Sequence, residues 1–146
     1  MDKPLFQKTY LLFCLTQFII FKIFKISLLI LWLSMITFTS LVDYSSIKVS
    51  GESLDIGSGF YLHVIGYFIA AFLFYLVLSE KQHGKMIVIL LILFGCGIVF
   101  EIIQIRIPKR TFNPMDIAAN GLGLVVFYVF YHFKYSRKGA KPQRGR

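Results

Sequence analysis

Four long apolar runs set the fold of this chain. They cover residues 26–42, 59–78, 86–105 and 115–133. Each is close to the ~20 helical residues that cross the ~30 Å hydrocarbon core of a bilayer. The whole chain is 57% hydrophobic and only 16% charged, which leaves too little polar surface for a soluble domain of this size. We therefore predict an all-α membrane protein built as a four-transmembrane-helix bundle, with 26–133 as the membrane domain.

The N-terminal segment, 1–25, follows a different pattern. Its apolar run, 10–21, is too short to span a membrane alone, and Lys22 and Lys25 separate it from the first full-length run. We predict an N-terminal interfacial helix or a helix extension over 5–21, with a separate fifth span as the alternative. No small-residue cleavage site follows this run, so it does not resemble a cleaved signal peptide.

Basic residues predict the orientation of the chain in the cell membrane. With the N-terminus inside, twelve of the 16 Lys and Arg residues fall in cytoplasmic segments, six of them in the tail 134–146. We therefore predict that both termini are cytoplasmic and that the tail is basic and disordered. The net charge of +9 suits contact with anionic membrane lipids. No stacking platform or recognition motif accompanies it, so no nucleic acid partner is predicted.

Polar side chains recur three or four residues apart in each of the last three predicted helices. These pairs are His63 and Tyr67, Glu101 and Gln104, and Asp116 and Asn120. Such spacings lie on one helix face. In the predicted topology five of these residues lie at a similar depth near the extracytoplasmic side, below a loop that carries Arg106 and Arg110. The five are His63, Glu101, Gln104, Asp116 and Asn120. Ionisable groups at this depth are costly unless they face partners or a wet cavity, so a polar site is predicted.

The residue types at this site suggest roles. Glu101 is the candidate general acid or base, assisted by His63 and Asp116 as further catalytic residues. The candidate substrate-binding residues are Arg110, Arg106, Gln104, Asn120 and Tyr67, with the arginines suited to a phosphate. His63, Glu101 and Asp116 can in principle ligate a divalent ion, but no paired-His motif accompanies them. No metal and no cofactor is predicted. The competing interpretation is structural, with ion pairs, caps and interhelical hydrogen bonds that close the bundle.

Taken in order, these motifs resemble the VanZ-like family of small integral membrane proteins. The resemblance lies in the sequences HVIGY (63–67), EIIQ (101–104), Arg110 and DIAANGLG (116–123), within about 55–125. The family often has an Asp where this chain has Gly59, and a Gly where it has Phe127. The resemblance implies a link to low-level resistance to the glycopeptide teicoplanin and implies no particular reaction.

Two classes of function fit this pattern. In the first, the polar site binds or acts on a lipid-linked, phosphate-bearing envelope component, with a glycopeptide as a further candidate ligand. In the second, the chain is a non-catalytic accessory membrane protein that modulates envelope or antibiotic access, and the polar cluster is structural. An ion pathway is disfavoured because 86–100 is apolar throughout. The sequence leaves open which class applies and indicates no oligomeric state.

Overall fold

The computed structural model of the protein describes residues 3–41, 56–78, 84–107 and 112–139, with side chains described for 12–41, 59–78, 84–107 and 112–134. Four helices occupy these ranges and, within them, no strand is present. They are α1 (Lys3–Leu41), α2 (Ile56–Val77), α3 (Met86–Gln104) and α4 (Pro114–Gly139). The predicted all-α, four-helix fold class is confirmed.

All four helices contain a stretch long and apolar enough to cross a membrane. These stretches are Leu12–Leu41, Gly59–Val77, Met86–Gln104 and Pro114–Lys134. Many large apolar side chains point away from the bundle; Phe18 and Leu62, for example, are 69% and 67% exposed. Contiguous apolar surface on this scale requires lipid or a partner to cover it. The fold is that of a multi-pass membrane protein.

Three helices extend beyond their predicted spans: α2 begins three residues early, and α1 and α4 extend further. α1 runs without interruption through Lys22 and Lys25, because 5–41 contains neither Gly nor Pro and lysine is a good helix former. Its backbone takes the form of the predicted extension, while its position relative to the membrane stays a prediction. α4 continues past Phe133 to Gly139, so the first six residues of the predicted disordered tail are helical. Residues 140–146 lie outside the described residues.

The most extensive packing in the bundle is between α2 and α4. Gly123 lies directly against the Val64 carbonyl, so that a Cβ at Gly123 would overlap its oxygen. Ala70 and Ala119 are fully buried. Small residues of this kind let helix backbones approach closely in a membrane. The main core cluster is formed by Tyr67, Ala70, Ala71, Met86, Leu90, Leu93, Leu124 and Phe127.

Helix α1 packs mainly against α2, with fewer contacts to α3. The Trp32 indole Nε1 donates to the Gly66 carbonyl of α2 at 3.0 Å. Within 12–41, only Leu29 and Ser40 are buried. The first helix is therefore a peripheral element, and α2, α3 and α4 position the polar residues.

Candidate functional site

His63, in the second turn of α2, connects two polar residues of α4. Its ring Nδ1 lies 2.9 Å from the Asn120 side-chain oxygen, and its Nε2 lies 3.8 Å from Asp116 Oδ2. Because an amide oxygen only accepts hydrogen bonds, Nδ1 is the donor. In the neutral ring, Nε2 therefore carries the lone pair and faces the Asp116 carboxylate.

Asn113, immediately before α4, organises both carboxylates of the site. Its side-chain oxygen accepts a hydrogen bond from the Met115 N–H at 3.1 Å, which caps the helix, and Pro114 occupies the first helical position. Its side-chain Nδ2 donates to Asp116 Oδ1 at 3.0 Å. Its backbone N–H donates to Glu101 Oε2 at 3.4 Å. One capping residue thus connects the end of α3 to the start of α4.

Glu101 is the most buried ionisable residue of the site, with 1% of its surface exposed. One ligand atom from each of His63, Glu101 and Asp116 lies within 4.8 Å of the other two. Two carboxylate charges at that distance repel by at least about 3 kcal/mol at an effective dielectric constant near 20. The arrangement therefore favours a bound cation, a neighbouring positive group or a shared proton.

Asn120 and Tyr67 contact α3 at Gly97. A Cβ placed on Gly97 would lie 2.8 Å from both the Asn120 Nδ2 and the Tyr67 hydroxyl. Both side chains are almost fully buried. Glycine at position 97 is what lets these polar groups reach the α3 backbone. Tyr67 thus packs at the helix interface, and its role in substrate binding stays a prediction.

Gln104 lies one turn after Glu101 and is 2% exposed. Its Nε2 has no hydrogen-bond partner within the described part of the chain. A buried donor left unpaired costs about 1–3 kcal/mol. An oxygen acceptor supplied by a ligand or by water would remove that cost.

Only one of the two predicted arginines lies within the described residues. Arg106 lies on the exposed turn after α3 and forms no ion pair with the site residues just described. Arg110 lies outside the described residues. Asn113 and Gly97 were missed as site residues by the sequence analysis. The signal for Asn113 was present in Asn-Pro-Met-Asp, where an N-cap precedes a first-turn carboxylate by three residues.

The site opens on the side of His63 and Asp116. Their side chains are 24% and 18% exposed, whereas Glu101 and Gln104 are closed off. The residues next to the opening are apolar and exposed: Leu62 precedes His63 and is 67% exposed, and Met115 precedes Asp116 and is 60% exposed. A polar opening thus adjoins a lipid-facing surface.

The four helices define the class of this chain as a multi-pass membrane protein. The chain matches no model of a known protein family, no curated protein and no solved structure. The resemblance to the VanZ-like family therefore rests on the sequence motifs alone.

Proposed function

We propose that this protein binds or acts on a lipid-linked, phosphate-bearing envelope component through the cluster of His63, Glu101, Asp116, Gln104 and Asn120. The observation that carries the proposal is the convergence of these groups from three helices beside an exposed apolar surface. A lipid tail can lie along Leu62 and Met115 while its polar head reaches His63 and Asp116. The substrate would enter from the bilayer rather than from water.

The side chains have complementary roles in this proposal. Glu101 acts as general acid or base, because its buried position suits a carboxyl group that exchanges a proton. His63 and Asp116 assist it. Gln104 donates its unpaired N–H to an anionic oxygen. The two carboxylates repel an anionic phosphate. In this proposal Arg106 and Arg110, in the connection between α3 and α4, supply the positive charge that offsets this repulsion.

The membrane setting belongs to the same proposal. The protein is a VanZ-like protein of the cell membrane with both termini in the cytoplasm, which places the cluster at the extracytoplasmic side. Phe112 is 43% exposed in the connection beside the site. In a chain with Cys14 and Cys96 replaced by serine, Phe112→Cys should react with a membrane-impermeant maleimide in intact cells. Reaction only after lysis would show that the protein has the opposite orientation.

A binding experiment tests the ligand class. The purified protein in lipid nanodiscs is titrated with a polyprenyl phosphate and with the polyprenol of the same chain length. We expect at least a tenfold preference for the phosphate, reduced in Glu101→Gln and His63→Ala. His132→Ala is the matched control, because His132 is an exposed histidine further along α4. Equal binding of the two lipids by the wild-type protein would reject the proposal.

A cellular experiment tests the link to antibiotics. Cells that express the wild-type protein should be less susceptible to teicoplanin than cells that express Glu101→Gln at the same membrane level. His132→Ala should behave like the wild type. Identical susceptibility with and without the wild-type protein would exclude the link to glycopeptides.

A second candidate is a non-catalytic accessory membrane protein that modulates envelope or antibiotic access. The hydrogen bonds of Asn113 and Asn120 favour it, because they join α3 to α4 and α2 to α4 and so stabilise the bundle. In that case Glu101→Gln should lower thermal stability in detergent and leave lipid preference unchanged. Under the first candidate, Glu101→Gln should weaken the preference for the phosphate lipid and leave thermal stability unchanged.

A further inference from the structure

We propose that His63, Glu101 and Asp116 form a binding site for one divalent transition-metal ion of the Zn²⁺ or Mn²⁺ type, between α2, α3 and α4. The inference does not require the lipid ligand proposed above, and it gives Glu101 the role of a metal ligand in place of the acid–base role proposed there. It rests on the spacing of the three donor atoms, on the hydrogen bonds that orient them, and on the balance of charge.

The spacing suits an ion better than a direct contact. His63 Nε2 and Asp116 Oδ2 are 3.8 Å apart, which is too long for a hydrogen bond. It is within reach of two bonds of ~2.1 Å to a common metal ion. The Glu101 oxygen completes a group whose members all lie within 4.8 Å of one another. A small inward movement of side chains brings all three into coordination distance.

The surrounding hydrogen bonds leave the right atoms available. Asn120 accepts from His63 Nδ1, which directs the lone pair of the neutral ring to Nε2, the atom nearest Asp116. Asn113 donates to Asp116 Oδ1 and leaves Oδ2 facing the histidine. Metal-ligating histidines and carboxylates are typically oriented by partners of this kind. These bonds are a second observation, independent of the distances between the three donor atoms.

The donor set indicates the class of metal. One imidazole nitrogen and two carboxylates match Zn²⁺ or Mn²⁺, whereas Ca²⁺ and Mg²⁺ prefer oxygen donors alone. Two carboxylates carry the charge that neutralises a divalent ion. Three protein ligands leave at least one coordination position for water or for an oxygen of a ligand. The partly exposed side of His63 and Asp116 provides access to it.

Metal titration of the purified protein tests the inference. Cys14 and Cys96, both exposed, are first replaced by serine so that thiolates cannot bind the metal. The chelator-treated protein in detergent is titrated with Co²⁺, followed by its visible absorption, and then with competing Zn²⁺. We expect one equivalent of Co²⁺, displaced by Zn²⁺. Asn120→Ala should weaken the affinity 10- to 100-fold, as loss of an orienting partner does.

His63→Ala should abolish the absorption band, and His132→Ala should leave it unchanged. Thermal unfolding of each variant without metal establishes that it is folded. If His63→Ala does not fold, the Co²⁺ affinity of the Asn120→Ala variant is the test of the metal site. No binding to the wild-type protein, or binding of the same affinity in His63→Ala or Asn120→Ala, would overturn the inference.

Separate measurements test the metal proposal and the lipid proposal, so that either can be rejected without the other. Polyprenyl phosphate binding is measured with and without a chelator. Phosphate-selective binding by a protein that takes up no Co²⁺ would leave the proposed function standing and overturn the metal site. Stoichiometric Co²⁺ binding without phosphate selectivity would support the metal site and overturn the lipid proposal.

Discussion

Replacing Gly123 with alanine should separate α2 from α4. A Cβ at this position would overlap the Val64 carbonyl oxygen, and would lie 3.1 Å from the Val64 carbonyl carbon and 3.2 Å from the Phe68 nitrogen. All three atoms belong to the α2 backbone, so no side chain can rotate away to make room. Overpacking of this kind costs about 1–3 kcal/mol, because the two helices have to move apart.

Gly95→Ala is the matched control for Gly123→Ala. A Cβ at Gly95 meets nothing within 4 Å. Both substitutions gain the helix propensity of alanine over glycine, about 1 kcal/mol, so the difference between the two variants isolates the clash. We expect Gly123→Ala to be less stable than Gly95→Ala by about 1–3 kcal/mol in SDS-induced unfolding of the detergent-solubilised protein.

The same substitution should disturb the polar site. His63 precedes Val64, and its Nδ1 lies 2.9 Å from Asn120 on the opposing helix. A separation of roughly 1 Å would take this contact past the ~3.2 Å upper limit of a good N–H···O bond. Metal or lipid affinity should therefore fall in Gly123→Ala and not in Gly95→Ala. Equal stability of the two variants would refute the reasoning about the α2–α4 interface.

Three further substitutions probe single contacts. Trp32→Phe removes the indole hydrogen bond to α2 and should cost about 0.5–1.5 kcal/mol in the same unfolding assay, so wild-type stability would contradict a role for this bond. Asn113→Ala should cost about 0.5–2 kcal/mol through loss of the cap and should also weaken Co²⁺ binding, measured by titration; loss of stability alone would restrict Asn113 to capping. Gln104→Met removes an unpaired buried donor, so thermal stability should hold or rise while polyprenyl phosphate affinity falls; unchanged affinity would argue against Gln104 as a ligand-binding residue.

Hydropathy predicted the core of each helix better than its ends. The predicted third helix, 86–105, matches Met86–Gln104 to within one residue, because its apolar run both starts and stops sharply. The predicted end of the fourth helix at 133 fell short by six residues. The end of an apolar run does not end a helix, because a helical backbone can continue into polar residues, here at least through Gly139.

The proximity of the polar residues was predictable, but their detailed contacts were not. Spacing along three helices placed His63, Glu101 and Asp116 at one end of the bundle, and the structure brings them within 4.8 Å. Helix rotation was harder to predict, because a helix that is apolar on most sides gives little signal of which face is buried. The contacts at Gly97 and the hydrogen bonds of Asn113 depend on that rotation.

The first helix is too long to stand upright in a bilayer. Its apolar stretch of 30 residues is about 45 Å long at ~1.5 Å per residue, against ~30 Å of hydrocarbon. Even a tilt of ~40°, the upper end of the usual range, leaves it longer than the hydrocarbon is thick. We expect the helix to leave the acyl chains near Lys22 and Lys25, because charged ammonium groups are more stable in contact with water. The preceding segment, 12–21, would then lie among the lipid headgroups. The thickness of the membrane would determine how much of this segment the acyl chains cover.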